Sequence, residues 1–167
     1  MNEGMGLLFT NNSQGNINKK SSDHCYQVGR AQPGDMRAML NLWSVTPGLG
    51  LGKGDEEKAL QVFLERNPST CLVLRIDKGL IGTVLGGFDG RRGYIYHLAV
   101  HPDYQGKGYG KVLLNRVITE LKFLGALKIH LFVFNDNQSA TEFYHHLDWE
   151  LRRDIQVFSW DANRDNK

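Results

Sequence analysis

Apolar positions recur along this chain with two periods, one near 3.6 residues and one of two, and the switches between them mark out its elements. Cys25 to Ala31 is a short strand candidate. Pro33-Gly34-Asp35 then introduces a helix with Met36, Met39, Leu40 and Trp43 on one face, and Pro47 ends it. A second helix over Asp55 to Arg66 gathers Ala59, Leu60 and Phe63, with Asp55 as N-cap and Asn67-Pro68 as stop. Strand patterns follow at Thr70 to Ile76 and Leu80 to Phe88, joined by the short turn Asp77-Lys78-Gly79. The turn Asp89 to Gly93 leads into a third strand, Tyr94 to Val100, completing an antiparallel meander.

This third strand breaks at His101-Pro102-Asp103, passes through Gly106, Gly108 and Gly110, and continues as a helix from about Gly108 to Leu124. Leu114, Val117, Ile118 and Leu121 form its apolar face and Gly125 caps its end. Lys128 to Phe134 is the next strand, parallel to the one before the crossover helix. Asn137 to His146 is a last helix, and Trp149 to Trp160 gives one bent or two short terminal strands. Strand, two helices, three antiparallel strands, helix, strand, helix and strand in succession make an α/β fold, a mixed sheet with helices on its faces.

Length adds that 167 residues suit one domain. Met1 to His24, rich in Asn, Ser, Gly and Lys without sustained period, is expected to be a flexible tail before a single domain at 25–161, with 162–167 frayed. Net charge is 20 − 18 = +2, too small to make nucleic acid or a membrane the main partner. No run has the length of a membrane span, and Met5 to Phe9 is too short for a signal-peptide core, so a cytoplasmic location is expected. Cys25 and Cys71 match no metal spacing and read as inert thiols, and no three His, Cys or carboxylate positions suggest a metal. The loop Gly48 to Gly54 is either a plain connector or a mobile wall of a substrate site.

Candidate chemistry centres on the glycines. A strand, a glycine-rich turn and a helix N-terminus can aim several backbone N–H groups and a positive dipole end at one anion. Nucleotide-binding loops fail on spacing: no glycine stands at the Walker position upstream, Val112 follows Lys111 where Ser or Thr is needed, and Leu113 or Lys111 replaces the third glycine of the dinucleotide fingerprint. The spacing that does match is Gln-x-x-Gly-x-Gly, as Gln105, Gly108 and Gly110, after Leu98-Ala99-Val100-His101-Pro102. This resembles the coenzyme A signature of the GCN5-related N-acetyltransferase superfamily. Asn137, Ala140 and Tyr144 reproduce its Asn-x-x-Ala-x-x-x-Tyr, and Leu147-Asp148-Trp149 stands where Leu-Gly-Phe is usual. Gly82-Thr83-Val84, Gly86-Gly87 and Asp89-Gly90 look like the small bacterial members of the YpeA and ribosomal-protein-acetylating kind.

The resemblance implies the superfamily fold, with a V-shaped opening between central strands, and acetyl-CoA as cosubstrate with no metal. It implies cofactor contacts from Leu98, Ala99 and Val100, from Gln105, Gly106, Lys107, Gly108, Tyr109, Gly110 and Lys111, and from Asn137, Ala140 and Phe143. Backbone groups of Leu98 and Val100 would pair with pantetheine as with an added strand. Tyr144 is the expected general acid for the leaving thiolate. Aspartate at 148 would have to adopt the left-handed conformation that glycine usually supplies.

The general base is open. No carboxylate lies on the central strand, and His97 has the right kind of side chain. Strict alternation puts it with Ile95 and Ala99, opposite Tyr94, Tyr96 and Leu98, unless a bulge re-aims it. A structural role for His97 competes with the catalytic one. The acceptor is an amine of unknown identity, bordered by Trp43 to Asp55, Tyr94, Tyr96, Phe158 and Trp160, and monomer and homodimer both stay open. Two functions remain: N-acetyl transfer by direct attack in a ternary complex, and a catalytically silent acyl-CoA-binding sensor.

Overall fold

The computed structural model describes residues 17–21 and 24–162. It divides into two compact units, the first running to Phe132 and the second starting at Val133. The first holds a six-stranded sheet in simple sequence order, β1 (Ile17–Ser21), β2 (His24–Arg30), β3 (Cys71–Ile76), β4 (Gly79–Phe88), β5 (Gly93–Val100) and β6 (Ile129–Leu131). All neighbours are antiparallel except β5 and β6, which run parallel as the crossover through α3 (Tyr109–Phe123) requires.

One face of the sheet carries α1 (Met36–Val45) and α2 (Glu57–Arg66). Met36, Met39, Leu42 and Trp43 pack there with Leu60, Leu64, Cys71, Val73, Leu85 and Ala99. The other face takes α3, whose Leu113, Val117 and Leu121 lie over strand glycines. A Cβ on Gly82 would meet Leu113 Cδ1 at 2.9 Å, and one on Gly86 would meet Val117 Cγ2 at 2.7 Å. Those glycines bring α3 close to the sheet and so fix where its N-terminus points.

The second unit carries α4 (Gln138–His145). Asn137 caps it, its Oδ1 accepting the Ala140 N–H at 3.0 Å. At the other end Asp148 takes φ 60°, while the Asp148 N–H reaches His145 O and the Trp149 N–H reaches Tyr144 O, each at 3.1 Å. This is a Schellman closure with aspartate in the glycine position. α3 ends the same way, with Gly125 at φ 96° in that place.

Four expectations change. Ile17–Ser21, inside the stretch expected to be a tail, pairs with β2 from Ile17↔Val28 to Ser21↔His24. An edge strand needs only main-chain partners on one side, so polar composition did not announce it; lysines are common on such edges. The rest of that stretch, 1–16 and 22–23, lies outside the described residues, as does 163–167 of the expected frayed end. Residues 149–162 form no strand: Val157, Phe158 and Trp160 are exposed, and β propensity without a ladder partner gives no strand. β6 is shorter than the Lys128–Phe134 expected. α2 starts at Glu57, with Glu56 rather than Asp55 at its N-cap. No helix among the described residues is long and apolar enough to cross a membrane.

Candidate active site

β5 is paired on both sides only at its start. Its ladder with β6 runs Gly93↔Ile129, Tyr94↔His130 and Ile95↔Leu131 and stops there. From Tyr96 to Val100 it pairs with β4 alone, leaving a slot along its other edge. His101 donates its N–H to Ile81 O at 2.8 Å, so strand alternation turns the N–H and C=O of Val100 toward that open edge. The opening expected between the central strands is therefore present.

The glycine turn begins where this edge ends. Pro102–Tyr104 makes one tight 3₁₀ turn, and Gly106 and Gly108 take φ 73° and 85°, values that favour glycine. Nothing lies within 4 Å of where a Cβ would stand on either, so the backbone is open to approach. Gly108 is the N-cap of α3, and the first N–H bonded inside the helix is that of Val112, to Gly108 O. The N–H groups of Tyr109, Gly110 and Lys111 have no intrahelical acceptor, and the dipole of a 15-residue helix stands behind them. Gly110, with no positive φ, serves as part of the helix's first turn. This donor set fits a pyrophosphate.

The side chains around the turn divide. Gln105 donates from Nε2 to Val100 O at 2.9 Å, tying the turn to the open edge of β5. Lys107 donates to Asp103 O at 3.0 Å and lies over the Tyr104 ring, and Lys111 is exposed. Tyr109, expected at the cofactor, turns its ring into the core against Tyr26, centroids 5.6 Å apart, so only its backbone faces the turn. Ala99 likewise packs its methyl in the α1–α2 core.

The main finding on β5 is at His97. Thr83 pairs with Ala99 and Leu85 with Tyr96, so the single residue Val84 opposes two, His97 and Leu98. That is a β-bulge, and His97 sits at φ 47° within it. The bulge puts His97 on the same face as Tyr96. Tyr96 meets Phe63 of α2 at 5.8 Å, and the His97 ring lies 4.3 Å from that of Trp43 of α1. A non-glycine residue at such φ costs about 1–2 kcal/mol, and three partners offset it. Asp55 Oδ1 stands 2.6 Å from His97 Nε2, Trp43 covers the ring, and Thr83 Oγ1 donates to His97 O at 3.1 Å. Thr83 also accepts the Trp43 indole N–H at 2.8 Å. Asp55, Trp43 and Thr83 were not named as members of a base site by sequence reasoning; the only available signal was a histidine in an apolar strand in need of a polar partner.

Farther along that face, Tyr94 stacks near Tyr96 at 6.5 Å and reaches His130 at 5.8 Å. Burial and then the neighbouring Tyr94 raise the Tyr96 phenol above its ordinary value. In the second unit, Tyr144 lies between Phe143 at 5.2 Å and Trp149 at 5.7 Å. Burial pushes its phenol up to about 12, so it keeps its proton throughout the neutral range. His145 and His146 are exposed.

Known proteins agree with this geometry. The family model described as acetyltransferase (GNAT) family matches residues 36–149. An acetyltransferase of Pectobacterium atrosepticum is 35% identical over 116 residues, 70% of this chain and 82% of that one. An acetyltransferase of Yersinia pestis is 35% identical over 103 residues, 62% and 73% of the two chains. Among solved structures, the PaiA N-acetyltransferase of Thermoplasma acidophilum in complex with coenzyme A superposes with a TM-score of 0.67 at 19% identity, over 73% of this chain and 87% of that one. The ribosomal-protein-S18-alanine N-acetyltransferase of Escherichia coli gives 0.60 at 21% identity, over 73% and 76%. With the slot, the bulge and the glycine turn in place, the chain belongs to the GNAT family of N-acetyltransferases.

Proposed function

We propose that this chain moves the acetyl group of acetyl-CoA to a primary amine, a protein N-terminus, a lysine or a small amine, by direct attack within a ternary complex. The observation that carries this reading is the half-paired β5, open from Tyr96 to Val100 and ending in a positive-φ glycine turn at the N-terminus of α3. The turn would hold the pyrophosphate on the N–H groups of residues 109–111, and the open edge at Leu98 and Val100 would pair with pantetheine. Acetyl-CoA brings the activated thioester when bound. A backbone N–H at the bulge would stabilise the oxyanion.

His97 takes the acceptor's proton in this reading, and Tyr144 gives one to the departing thiolate. The bulge supports the first role, because it turns His97 away from the α3 face of Ile95 and onto the α1–α2 face with Tyr96 and Ala99. Burial supports the second, because the Tyr144 phenol is held protonated. The solved neighbours' names span a ribosomal-protein alanine and aminoglycosides, so the acceptor class stays at the level of an amine.

Thiol release from acetyl-CoA, measured over N-terminal and lysine peptides, polyamines, amino acids and aminoglycosides, tests the activity. Turnover on one class is expected, and Tyr144→Phe should lower kcat by about 10²–10⁴-fold with little change in the KM for acetyl-CoA. Tight acetyl-CoA binding with no turnover on any amine would replace this reading with the sensor. Wild-type kcat in Tyr144→Phe would remove Tyr144 from the acid role.

A further inference from the structure

Asp55 closes the loop between α1 and α2, and both its carboxylate oxygens are engaged. Oδ1 meets His97 Nε2 at 2.6 Å across 42 residues of chain, and Oδ2 accepts the Gly52 N–H at 2.7 Å. The Asp55 N–H in turn reaches Gly52 O at 3.2 Å. An ionised carboxylate only accepts, so its bond to a neutral His97 requires the ring proton on Nε2. The lone pair then sits on Nδ1, which has no hydrogen-bond partner among the described residues. Among the described residues, the other elements against the ring bring no titratable group to it: α1 presents the Trp43 indole, and β4 the Thr83 hydroxyl that fixes both that indole and the His97 carbonyl.

We propose that Asp55 is the positioning residue of the acetyl-transfer site: it holds His97 in the tautomer that leaves Nδ1 for the acceptor's proton, and through Gly52 it makes that state depend on the α1–α2 loop. This rests on His97 being the base. As the acceptor nitrogen bonds to the acetyl carbon, its proton passes to Nδ1, the C–S bond breaks, and the coenzyme thiolate takes a proton from the acid. The imidazolium that forms is balanced by the carboxylate at Nε2.

Asp55→Asn on the full chain tests this sharply, because the two bonds then make opposite demands. The Gly52 N–H needs the one remaining oxygen, so the amide NH₂ faces Nε2 and forces the ring proton to Nδ1. Nitrogen-15 spectra of the imidazoles, with the His97 signal identified by its loss in His97→Gln, should show Nε2–H in the native chain and Nδ1–H in Asp55→Asn. On an amine acceptor from the panel above, Asp55→Asn should lower kcat by about 10²–10⁴-fold with the acetyl-CoA KM within about twofold. Asp55→Ala, checked for an intact thermal transition, should lower kcat similarly without imposing the Nδ1–H tautomer. An unchanged tautomer in Asp55→Asn overturns the proposal. So does native kcat in Asp55→Asn beside a crippled His97→Gln, which would leave the base reading standing. Native kcat in His97→Gln removes the base reading and the role of Asp55 with it.

Discussion

The glycine turn and the His97 bulge lie a few residues apart on one strand and its continuation, yet they are built by opposite means. The turn is backbone: positive φ at Gly106 and Gly108, a helix N-terminus, and Gln105 reaching back to Val100. Its parts are neighbours in sequence, and their strain is relieved by having no side chain. At the bulge a side chain is held at φ 47°, and its cost is met by residues from α1, the α1–α2 loop and β4. A local device can bind a group common to many reactions, whereas a device assembled from distant segments can be altered without disturbing it. That division suits an enzyme family with one donor and many acceptors.

The largest expected effect separates the two directly. His97→Gln should reduce kcat by about 10²–10⁴-fold while leaving the KM for acetyl-CoA within about twofold. Gly108→Val, which forces a β-branched residue to φ 85°, should do the reverse, raising that KM by about 10–100-fold with saturated kcat near native. Steady-state thiol release measures both, and a variant that moved both parameters equally would break the division.

The contrast also explains what could be read in the residues. Gln105, Gly108 and Gly110 stand in register along the chain, so their spacing excluded nucleotide loops, and their resemblance to a superfamily signature, joined by Asn137, Ala140 and Tyr144, pointed to a coenzyme A cradle. The α3 and α4 boundaries were equally legible, since periodicity and caps are local. His97 was left between two roles because its face depends on a register shift opposite Val84, which nothing near it encodes. Asp55 was read as a helix cap, the commonest use of aspartate at that place, but its carboxylate is taken by a histidine 42 residues on. β1 and the absent terminal strand fail for one reason. A strand is defined by its neighbour's free edge, which is a property of the sheet and not of the segment.

Intermediate in size is the effect of disturbing the support that both regions share. A Cβ at residue 86 would stand 2.7 Å from Val117 Cγ2 and 2.9 Å from Thr70 Cβ. Gly86→Ala should therefore cost about 1–3 kcal/mol and lower Tm by about 3–10 °C, with acetyl-CoA KM and kcat both near native below the transition. A kinetic change confined to one region would show that α3 couples to it alone.

An effect that is absent at neutral pH and develops only in alkali lies in the α1–α2 core beneath the bulge. Burial raises the Cys71 thiol from 9.0 to about 12. The folded chain therefore keeps this proton where the unfolded chain loses it, and stability falls as pH rises between 9.0 and about 12. Urea midpoints of Cys71→Ala should be lower than native at neutral pH but should decline less steeply across that window. Parallel declines in the two proteins would show that Cys71 plays no part in it.

Trp43 turns this arrangement into an optical instrument. Its indole is 1% exposed, hydrogen-bonded to Thr83 and 4.3 Å from the His97 ring, whereas Trp160 is 75% exposed. With the half-buried third tryptophan replaced, as in Trp149→Phe, the two emit at different wavelengths, and an imidazolium formed beside Trp43 would quench the bluer band selectively. Trp43 is thus a fluorophore native to the chain that reports the protonation of the residue beside it and any lifting of the loop that holds that residue in place.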